Sequence, residues 1–474
     1  MEKSYEDTIC APATVAGTGA VSLIRVSGAY ALAVCGKVVK CRRPLEEAAG
    51  HTVHFGTVMD GDSPLDDVLV SVFRGPHSYT GEDCAEISCH SSSYIVSRIL
   101  ELLCAAGCRM AGPGEFTKRA FLAGKMDLAQ AEAVADVIAS SSAAANKLAM
   151  NQLKGRYSSE LRELRDRMLE LSVLLELELD FSEEEVEFAE RSRLRALILK
   201  ARDHCSTLAD SFRTGNAIKN GVMVAIVGAP NSGKSTLLNA FVGDERAIVS
   251  DIPGTTRDTI EESCIIDGVL FRFVDTAGIR KAADDIERQG IERTYREMDR
   301  ADIVIGVIDG TLGNPADEAE RLAWEQENGG ADTEAFTERE TQVGSILSNV
   351  SRGQKLILVA NKADSFAFTP LEGALAISAR DGSGLDELRR TLRASVATPD
   401  AGSTVVTNAR HAEALRKAAE SLTYVLEGID TQLPGDLLAE DLRSAISSVN
   451  CILGESIEAD EVLGGIFGRF CIGK

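Results

Sequence analysis

A glycine-rich segment between two apolar runs carries the strongest chemical signal in the chain. Residues Gly228–Thr236 follow the run Val222–Val227, which is typical of a buried strand, and precede a helix-forming run at 237–240. Glycines let backbone N–H groups and a helix N-terminus surround phosphate oxygens. Lys234 would then meet the β- and γ-phosphates, and Ser235 would bind Mg²⁺. The predicted nucleotide-binding residues of this loop are Asn231, Ser232, Gly233, Lys234, Ser235 and Thr236.

Two further segments occur in the order expected of a GTP-hydrolysing domain. Residues 275–278 follow a strand-like run at 270–274 and resemble the motif whose Asp holds Mg²⁺ through water and whose Gly senses the γ-phosphate. Residues 254–258 resemble the switch segment, in which Thr256 completes the metal shell. Each motif is weak alone, and their order strengthens both. The residues predicted here are Gly254, Thr255, Thr256, Asp275, Thr276, Ala277 and Gly278.

The segment that would read the base follows another strand-like run, at 356–360. The two oxygens of Asp364 match the N1–H and 2-amino donors of guanine, a pair of donors that adenine lacks. A second segment, 378–380, resembles the supporting loop whose backbone N–H meets the guanine O6. The sequence therefore predicts GTP rather than ATP. The predicted base-reading residues are Asn361, Lys362, Ala363, Asp364, Ser378, Ala379 and Arg380.

The strand-like runs that carry these motifs alternate with helical segments, which is typical of a parallel, doubly wound sheet. We therefore predict an α/β domain at residues 217–395. Within it, the polar and acidic segment 311–352 is expected to be an exposed insertion with some helix, a solvated elaboration rather than a site.

The regions on either side of the α/β domain have different compositions. Residues 1–118 alternate short β-type runs with turns and include a helical stretch near 92–106, which indicates a compact α+β module. Residues 119–216 and 396–474 share an Ala-, Leu-, Glu- and Arg-rich texture with helical spacing. The predicted fold is therefore multidomain α+β, with the α/β domain inserted into one helical domain.

Bulk properties limit the class of protein. The 474 residues are 44% hydrophobic and 26% charged, an ordinary globular composition, and this length suggests about three domains. The formal charge of −23 opposes unaided binding to nucleic acid. The acidic start resembles no signal or transit peptide, and no run approaches the ~18 apolar residues of a membrane span. A cytoplasmic protein with no membrane partner is expected.

The chain has 11 cysteines, an odd count without paired CxxC spacing, so neither a disulfide framework nor a zinc site is indicated. Cys104 and Cys108 are expected to pack in a core rather than to bind a metal.

Motifs outside the α/β domain resemble the MnmE (TrmE) family of tRNA-modification GTPases, which modify the wobble uridine of certain tRNAs. The resemblance covers nearly the whole chain. The motifs that carry it are Asp7–Thr14, Ile24–Gly28, Ser78–Asp83, Gly112–Phe121 and Phe470–Lys474. One departure is the segment Ser91–Ser93, where the family usually has glycines.

The resemblance implies an architecture and a reaction. Family members have a folate-binding N-terminal domain through which they form homodimers, and they form a heterotetramer with the flavoprotein MnmG (GidA). They install an aminomethyl or carboxymethylaminomethyl group on tRNA with a one-carbon unit from 5-formyl- or methylene-tetrahydrofolate, and couple this to GTP hydrolysis. The implied folate contacts are Arg25, Glu86, Lys125 and Lys474.

Without the resemblance, Arg25 and Lys125 would be interpreted as surface charges. The family motif also singles out the thiol of Cys471. Its role is left open between chemistry and the closing of a helix end.

The resemblance also addresses how GTP is cleaved. Position 279 is Ile, where Ras-type GTPases have a water-orienting Gln, so the catalytic group must come from elsewhere. In the family, K⁺ is bound by the phosphate-loop Asn and by the loop before the switch Thr, and a Glu orients the water. That Glu corresponds to Glu287, so the expected catalytic residues are Glu287, Lys234 and Thr256. The expected K⁺ ligands are Asn231, Ser250, Ile252 and Thr255, and the loop that also meets the nucleotide adds Asp251, Pro253 and Gly254.

A regulatory GTPase that acts as a binding switch, for example in ribosome assembly, would explain residues 217–395 equally well. Such a protein would carry a basic RNA-binding appendage, and no basic segment of that kind is found in the sequence. The N- and C-terminal motifs favour the modification enzyme.

Overall fold

The protein is described by a computed structural model. The described residues are 7–17, 19–180, 189–243, 261–275, 299–311, 333–348, 350–351, 354–365, 368, 370–396, 404–455, 460–468, 470 and 473. The chain divides into two compact units by contact density. The first unit comprises residues 1–138, 150–206 and 414–474, and the second comprises residues 139–149 and 207–413.

The first unit contains a seven-stranded sheet in the order β3-β4-β5-β6-β2-β1-β7. Neighbouring strands are antiparallel except β1 and β7, which are parallel. The strands are β1 Thr8–Pro12, β2 Val21–Ser27, β3 Val39–Cys41, β4 Thr52–Asp60, β5 Ser63–Phe73, β6 Cys84–His90 and β7 Cys108–Met110. Burial alternates along β5, where Val68, Val70 and Val72 are buried and Leu69 is 48% exposed. One face of this strand therefore lines the core.

Two helices pack against that core, α1 (Ala31–Val38) and α2 (Ser93–Ala106). Helix α2 confirms the predicted helical stretch near 92–106, and its residues Ile99 and Leu103 are fully buried. Cys108 lies on β7 and Cys104 on α2, and both belong to the same core, which confirms their predicted packing role.

Helices follow in the chain, as the composition predicts, and the two longest of those described span 25 and 22 residues. The helices are α3 Glu115–Leu122, α4 Leu128–Ala139, α5 Ala143–Leu153, α6 Arg156–Asp180, α7 Ala189–Asp210 and α8 Phe212–Asn220. Ala, Leu, Glu and Arg are strong helix formers, and this accounts for the length of α6 and α7.

The second unit contains a six-stranded sheet in the order β13-β12-β11-β8-β10-β9. Neighbouring strands are parallel except the β9–β10 hairpin, so the predicted parallel sheet is confirmed. The strands are β8 Val222–Val227, β9 Glu261–Ile266, β10 Val269–Asp275, β11 Ile303–Asp309, β12 Lys355–Asn361 and β13 Leu375–Ala376. The helices described with this sheet are α9 Lys234–Val242, α10 Thr333–Ser348 and α11 Leu385–Ser395. Because β8, β10, β11 and β12 are parallel, their carboxyl ends lie at one edge.

The structure corrects the interpretation of segment 311–352. Helix α10 belongs to this segment, and its residue Ile346 is 7% exposed and packs in a core cluster with Val304 and Ile308 of β11. The predicted helical content of the segment is confirmed, but α10 is attached to the sheet rather than fully solvated, because Val343 and Ile346 pack in that cluster. Residues 312–332 lie outside the described residues.

Three helices complete the described chain: α12 Ala409–Asp430, α13 Gly435–Leu453 and α14 Asp460–Phe467. Helix α13 packs against α6. In the first unit, Arg195 of α7 is paired with Asp430 of α12 at 2.8 Å. Helices that precede the six-stranded sheet in the chain therefore contact helices that follow it.

Candidate functional site

The glycine-rich loop leads from the end of β8 into α9. Gly233, the residue immediately before α9, has φ 95° and Asn231 has φ 64°, so the loop curls back on itself. The ammonium Nζ of Lys234 donates to the carbonyl oxygens of Gly228 (2.9 Å) and Ala229 (2.7 Å). The predicted phosphate-binding cation is therefore held by its own loop. Ser235 and Thr236 are exposed in the first turn of α9, where a helix N-terminus favours anions.

Asn361, the last residue of β12, joins the phosphate loop to the predicted base-reading loop. Its Nδ2 donates to the carbonyl of Ser232 (2.8 Å), and its Oδ1 accepts from the backbone N–H of Ala379 (2.9 Å). The residue is 3% exposed. The oxygen and the nitrogen of this one buried amide each bond to a different loop. Three segments predicted for one site, those of Ser232, Asn361 and Ala379, therefore meet in the structure.

Asp364 is exposed but oriented. Ser378, which is fully buried, donates from its Oγ to Asp364 Oδ1 (2.8 Å). The backbone N–H of Ala363 bonds to the carbonyl of Ile377 (2.9 Å), which fixes the turn that carries Asp364. A carboxylate held in this way on an exposed turn can accept hydrogen bonds from a ligand. The side chain of Arg380, two residues after Ser378, is exposed.

Asp309, the last residue of β11, is a charged residue of this site that no sequence motif predicted. Its carboxylate forms an ion pair with Lys362 and accepts hydrogen bonds from the N–H (2.9 Å) and Oγ1 (2.7 Å) of Thr311. Burial alone would raise the pKa of Asp309, but the bonds from Lys362 and Thr311 outweigh burial and hold that pKa below its ordinary value. The available signal was its place directly after the apolar run 303–308, which is typical of a buried strand.

Potential magnesium ligands lie at the same edge of the sheet. Asp275 ends β10 and pairs in register with Ile226 of β8, next to the phosphate loop. Among the described residues no group of three or more His, Cys, Asp or Glu could hold a metal ion.

Several predicted residues lie outside the described residues, so their predicted roles are untested. They are Ser250, Asp251, Ile252, Pro253, Gly254, Thr255, Thr256, Thr276, Ala277, Gly278, Glu287, Cys471 and Lys474.

A second cluster lies in the first unit, around Arg25 on β2. Arg25 pairs in register with Glu86 of β6, and the two side chains form an ion pair at 2.8 Å. The guanidinium carbon lies 5.2 Å from the ring centre of Tyr79 and 5.7 Å from that of Phe116. Arg25 also donates to the carbonyl of Gly473 (3.3 Å). With its side chain 14% exposed, Arg25 is not a surface charge.

Lys125 lies near this cluster, but it does not join the ion pair between Arg25 and Glu86. Its Nζ donates to the carbonyl of Pro76 (2.7 Å), at the start of the loop that carries Tyr79. The side chain is exposed. Of the predicted folate residues, Arg25 and Glu86 are thus brought together, and Lys125 contacts the loop that covers them.

A buried arginine supports the same loop. Arg119 of α3 has a side chain 1% exposed and forms ion pairs with Asp7 (2.8 Å), Glu82 (3.2 Å) and Glu115 (3.1 Å). It was not predicted as a site residue, although it belongs to the quoted motif Gly112–Phe121. The network ties the start of β1, the loop before β6 and α3 together.

Comparisons with known proteins cover both units. A family profile described as GTP-binding protein TrmE N-terminus matches residues 8–125, and one described as MnmE helical domain matches residues 128–471. A relative from Bacteroides fragilis, named tRNA modification GTPase MnmE, is 46% identical over 488 residues, which span 99% of this chain and 100% of the relative. The chain belongs to the MnmE family.

Two other matches differ in how much of this chain they cover. A relative from Porphyromonas gingivalis, also named tRNA modification GTPase MnmE, is 46% identical over 99% of this chain and 98% of the relative. A solved G domain of the T. maritima FeoB iron transporter covers 37% of this chain and 99% of that chain, with 23% identity and a TM-score of 0.24. That likeness is too low to add to the family assignment.

Membership of the MnmE family confirms the resemblance seen in the sequence motifs. Because the matches extend through residues outside 217–395, they favour the modification enzyme over a regulatory switch that shares only the GTP-binding unit. Within the described parts of the chain, no helix is long and apolar enough to cross a membrane.

Proposed function

We propose that this chain hydrolyses GTP and, with an MnmG-type flavoprotein, adds an aminomethyl or carboxymethylaminomethyl group to carbon 5 of the tRNA wobble uridine. The observation that carries the proposal is the 46% identity, over 99% of the chain, to relatives named tRNA modification GTPase MnmE. The arrangement around Asn361 supports it, because one buried amide holds a phosphate loop and a guanine-reading loop together.

In this proposal the second unit binds both the phosphates and the guanine base of GTP. Backbone N–H groups of residues 231–236 and the ammonium of Lys234 receive the phosphates. Asp364, oriented by Ser378, accepts from the guanine N1–H and 2-amino group. Mg²⁺ held by Ser235 and Thr256, with Asp275 acting through water, would neutralise phosphate charge.

This chain has Ile279 where Ras-type GTPases have the Gln that orients water, so GTP cleavage needs other groups. We propose that K⁺ held by Asn231, Ser250, Ile252 and Thr255 supplies positive charge beside the β- and γ-phosphates. Glu287 would orient the attacking water, a role that Ile279 cannot fill. Of the proposed K⁺ ligands the structure describes Asn231, which has φ 64° and whose side chain is exposed on the phosphate loop.

We also propose that the cluster around Arg25 binds a reduced folate, 5-formyl- or methylene-tetrahydrofolate, as the one-carbon donor. A guanidinium between Tyr79 and Phe116 presents a flat cation to a ligand that has a flat pterin ring and a carboxylate tail. Glu86 holds that guanidinium in place and can accept pterin N–H groups. Lys125 and Lys474 would add positive charge to this folate site. Cys471 is three residues before Lys474 in the sequence and would therefore lie close to the same site.

The proposed partners follow from charge and family. A chain with a formal charge of −23 repels the phosphate backbone of tRNA, so MnmG is expected to hold much of the RNA in a heterotetramer with a homodimer of this chain. The proposed location is the cytoplasm, where tRNA, GTP and folates are available.

Cells that lack the gene test the proposed function directly. Mass spectrometry of tRNA nucleosides is expected to show loss of the wobble-uridine modification, restored by the wild-type gene and by Asp386→Asn, an exposed control on α11. Asp364→Asn is expected to fail, because its amide presents a donor where the guanine 2-amino group needs an acceptor. In binding assays this variant should bind GTP at least about tenfold more weakly and favour a xanthine nucleotide.

Two results would refute these assignments. Unchanged GTP affinity in Asp364→Asn would remove this residue from base reading. An unaltered nucleoside profile in cells without the gene would remove the proposed role in tRNA modification.

A further inference from the structure

Asp309 connects the end of β11 to the turn that follows β12. It pairs in register with Asn361, and the backbone N–H of Gly310 donates to the carbonyl of Asn361 (2.9 Å). Its Oδ1 is occupied by the N–H and Oγ1 of Thr311, and its Oδ2 pairs with Lys362 Nζ. The carboxylate therefore holds its own strand end with one oxygen and the neighbouring turn with the other.

Lys362 needs such a partner because of its backbone. Its φ of 69° is in the left-handed region, which residues other than Gly, Asn and Asp seldom adopt. Lys has no short polar side chain to stabilise that conformation locally. The unfavourable conformation persists only where surrounding interactions maintain it.

The left-handed turn at Lys362 determines the direction of Asp364. Directly after it, the N–H of Ala363 bonds to the carbonyl of Ile377 (2.9 Å), and Asp364 receives the hydroxyl of Ser378 (2.8 Å). With φ in the ordinary helical or extended region, the chain would leave β12 in another direction and lose both bonds. The Lys362 conformation is thus a condition for the geometry of Asp364.

The ion pair between Asp309 and Lys362 is sheltered enough from solvent to hold Lys362 in this conformation. The side chains of Asp309 and Lys362 are 15% and 37% exposed, so solvent screens their attraction less than it does for a fully exposed pair. Asp309 also has its second oxygen fixed by Thr311, so that little side-chain freedom is lost when the pair forms.

We infer that Asp309 is a positioning residue for guanine recognition: its carboxylate holds Lys362 in the left-handed conformation that directs Asp364 towards the base. The inference rests on the proposed base-reading role of Asp364. A positioning role for Asp309 predicts a pattern of nucleotide affinities that a general structural role does not. GTP and GDP carry the same base, so loss of Asp309 should weaken both equally and should not alter the hydrolysis step.

The first test is Asp309→Asn, which keeps an acceptor for Thr311 and removes the charge opposite Lys362. GTP and GDP affinities should each fall about tenfold, which corresponds to about 1.4 kcal/mol. KM for GTP should rise in proportion, with kcat within about twofold of wild type. Asp309→Glu should recover part of the affinity because it restores the charge.

A matched control lies at the other end of the same segment. Asp302, just before β11, accepts from the N–H of Met223 (3.1 Å), and an Asn there can accept the same bond. Asp302→Asn should leave both nucleotide affinities within about twofold of wild type. A nucleotide effect common to both Asn variants would show that any change in this strand disturbs binding, and would overturn the inference.

A double-mutant cycle isolates the backbone argument. Gly adopts left-handed conformations without strain, so Lys362→Gly removes the need for the ion pair. In that background, Asp309→Asn should change nucleotide affinity by less than about twofold. If it still costs about tenfold there, or if it lowers kcat or affects GTP and GDP unequally, Asp309 does not act through Lys362 and the inference fails.

Failure of the proposed base reading would appear differently. In that case Asp364→Asn would keep full GTP affinity, whatever the Asp309 variants do. Thermal unfolding of each variant, compared with wild type without nucleotide, distinguishes loss of positioning from loss of fold.

Discussion

Replacing Gly233 by Ala would disturb the contact between the phosphate loop and Asn361. Gly233 has φ 95°, and a Cβ added there would lie 2.1 Å from Asn361 Nδ2. Two effects follow: backbone strain in the left-handed region, and a steric clash with a side chain. Because Asn361 is buried and bonded through both ends of its amide, it cannot simply turn away.

The structure allows the two effects to be estimated separately. Left-handed strain costs roughly 1–2 kcal/mol. Displacing the Asn361 amide breaks its bonds to Ser232 and Ala379, and each buried group left without a partner costs about 1–3 kcal/mol. Gly233→Ala should therefore cost about 3–8 kcal/mol in total, comparable with the stability of a whole domain.

Gly373→Ala is the matched control. Gly373 has φ 77°, and an added Cβ would meet nothing within 4 Å, so this variant carries only the strain. The difference between the two variants, about 2–6 kcal/mol, measures the contact with Asn361. Because about 1 kcal/mol shifts the melting temperature of a 150–250-residue domain by 2–4 °C, Gly233→Ala should melt at least about 4 °C below Gly373→Ala.

Calorimetric unfolding and fluorescence titration with GDP would measure these effects. GDP affinity is expected to be lost in Gly233→Ala and retained in Gly373→Ala, because only the first variant separates the two loops. Equal melting temperatures together with equal GDP affinities would refute the coupling of the loops through Asn361.

Two further predictions concern the other proposed roles. GTPase activity is expected to rise strongly when Na⁺ is replaced by K⁺, and Glu287→Ala should lose hydrolysis while keeping nucleotide affinity; equal rates in both salts, or an active variant, would contradict this arrangement. Gly473→Ala should weaken binding of 5-formyltetrahydrofolate at least about tenfold in calorimetry, because its Cβ would lie 2.1 Å from the carbonyl of Pro12 and displace the carbonyl that Arg25 contacts. Gly465→Ala, whose Cβ would meet nothing within 4 Å, is the control, and equal affinities would contradict the prediction.

Strands β8, β10 and β12 and the phosphate loop could be predicted from the sequence because their signals are local. A buried parallel strand is a continuous apolar run, as in Val222–Val227, and a phosphate loop has fixed glycine spacing. The bond between Asn361 and Ser232 could not be predicted in the same way. It joins residues 129 positions apart and depends on the order of strands in the sheet.

The cluster around Arg25 shows a different limit. An Arg within an apolar strand gives no sign of its environment, and composition alone favours a surface position. The structure buries it because Glu86 is its cross-strand partner and because Tyr79 and Phe116 flank the guanidinium. Strand register depends on pairing across the sheet, which a single strand sequence does not specify.

Helix α10 was misjudged for a related reason. The acidic, polar composition of segment 311–352 indicated a solvated insertion, and this outweighed the few apolar residues. Val343 and Ile346 are three positions apart and so share one face of the helix, and both pack in the cluster beneath it. A narrow apolar stripe is enough to attach a helix to a sheet when most of its surface is polar.

The position of Asp309 follows from the geometry of the sheet edge. Strand β11 lies between β8 and β12, and neighbouring strands are about 4.8 Å apart, so the loops after β8 and β12 can meet only across the end of β11. Asn361 makes that contact. The chain after β11 must therefore turn away at once, and the bonds from Thr311 to Asp309 fix that turn. Asp309 thus holds the chain after β11 away from the contact between Asn361 and Ser232. Through Lys362 it also fixes the turn that follows β12.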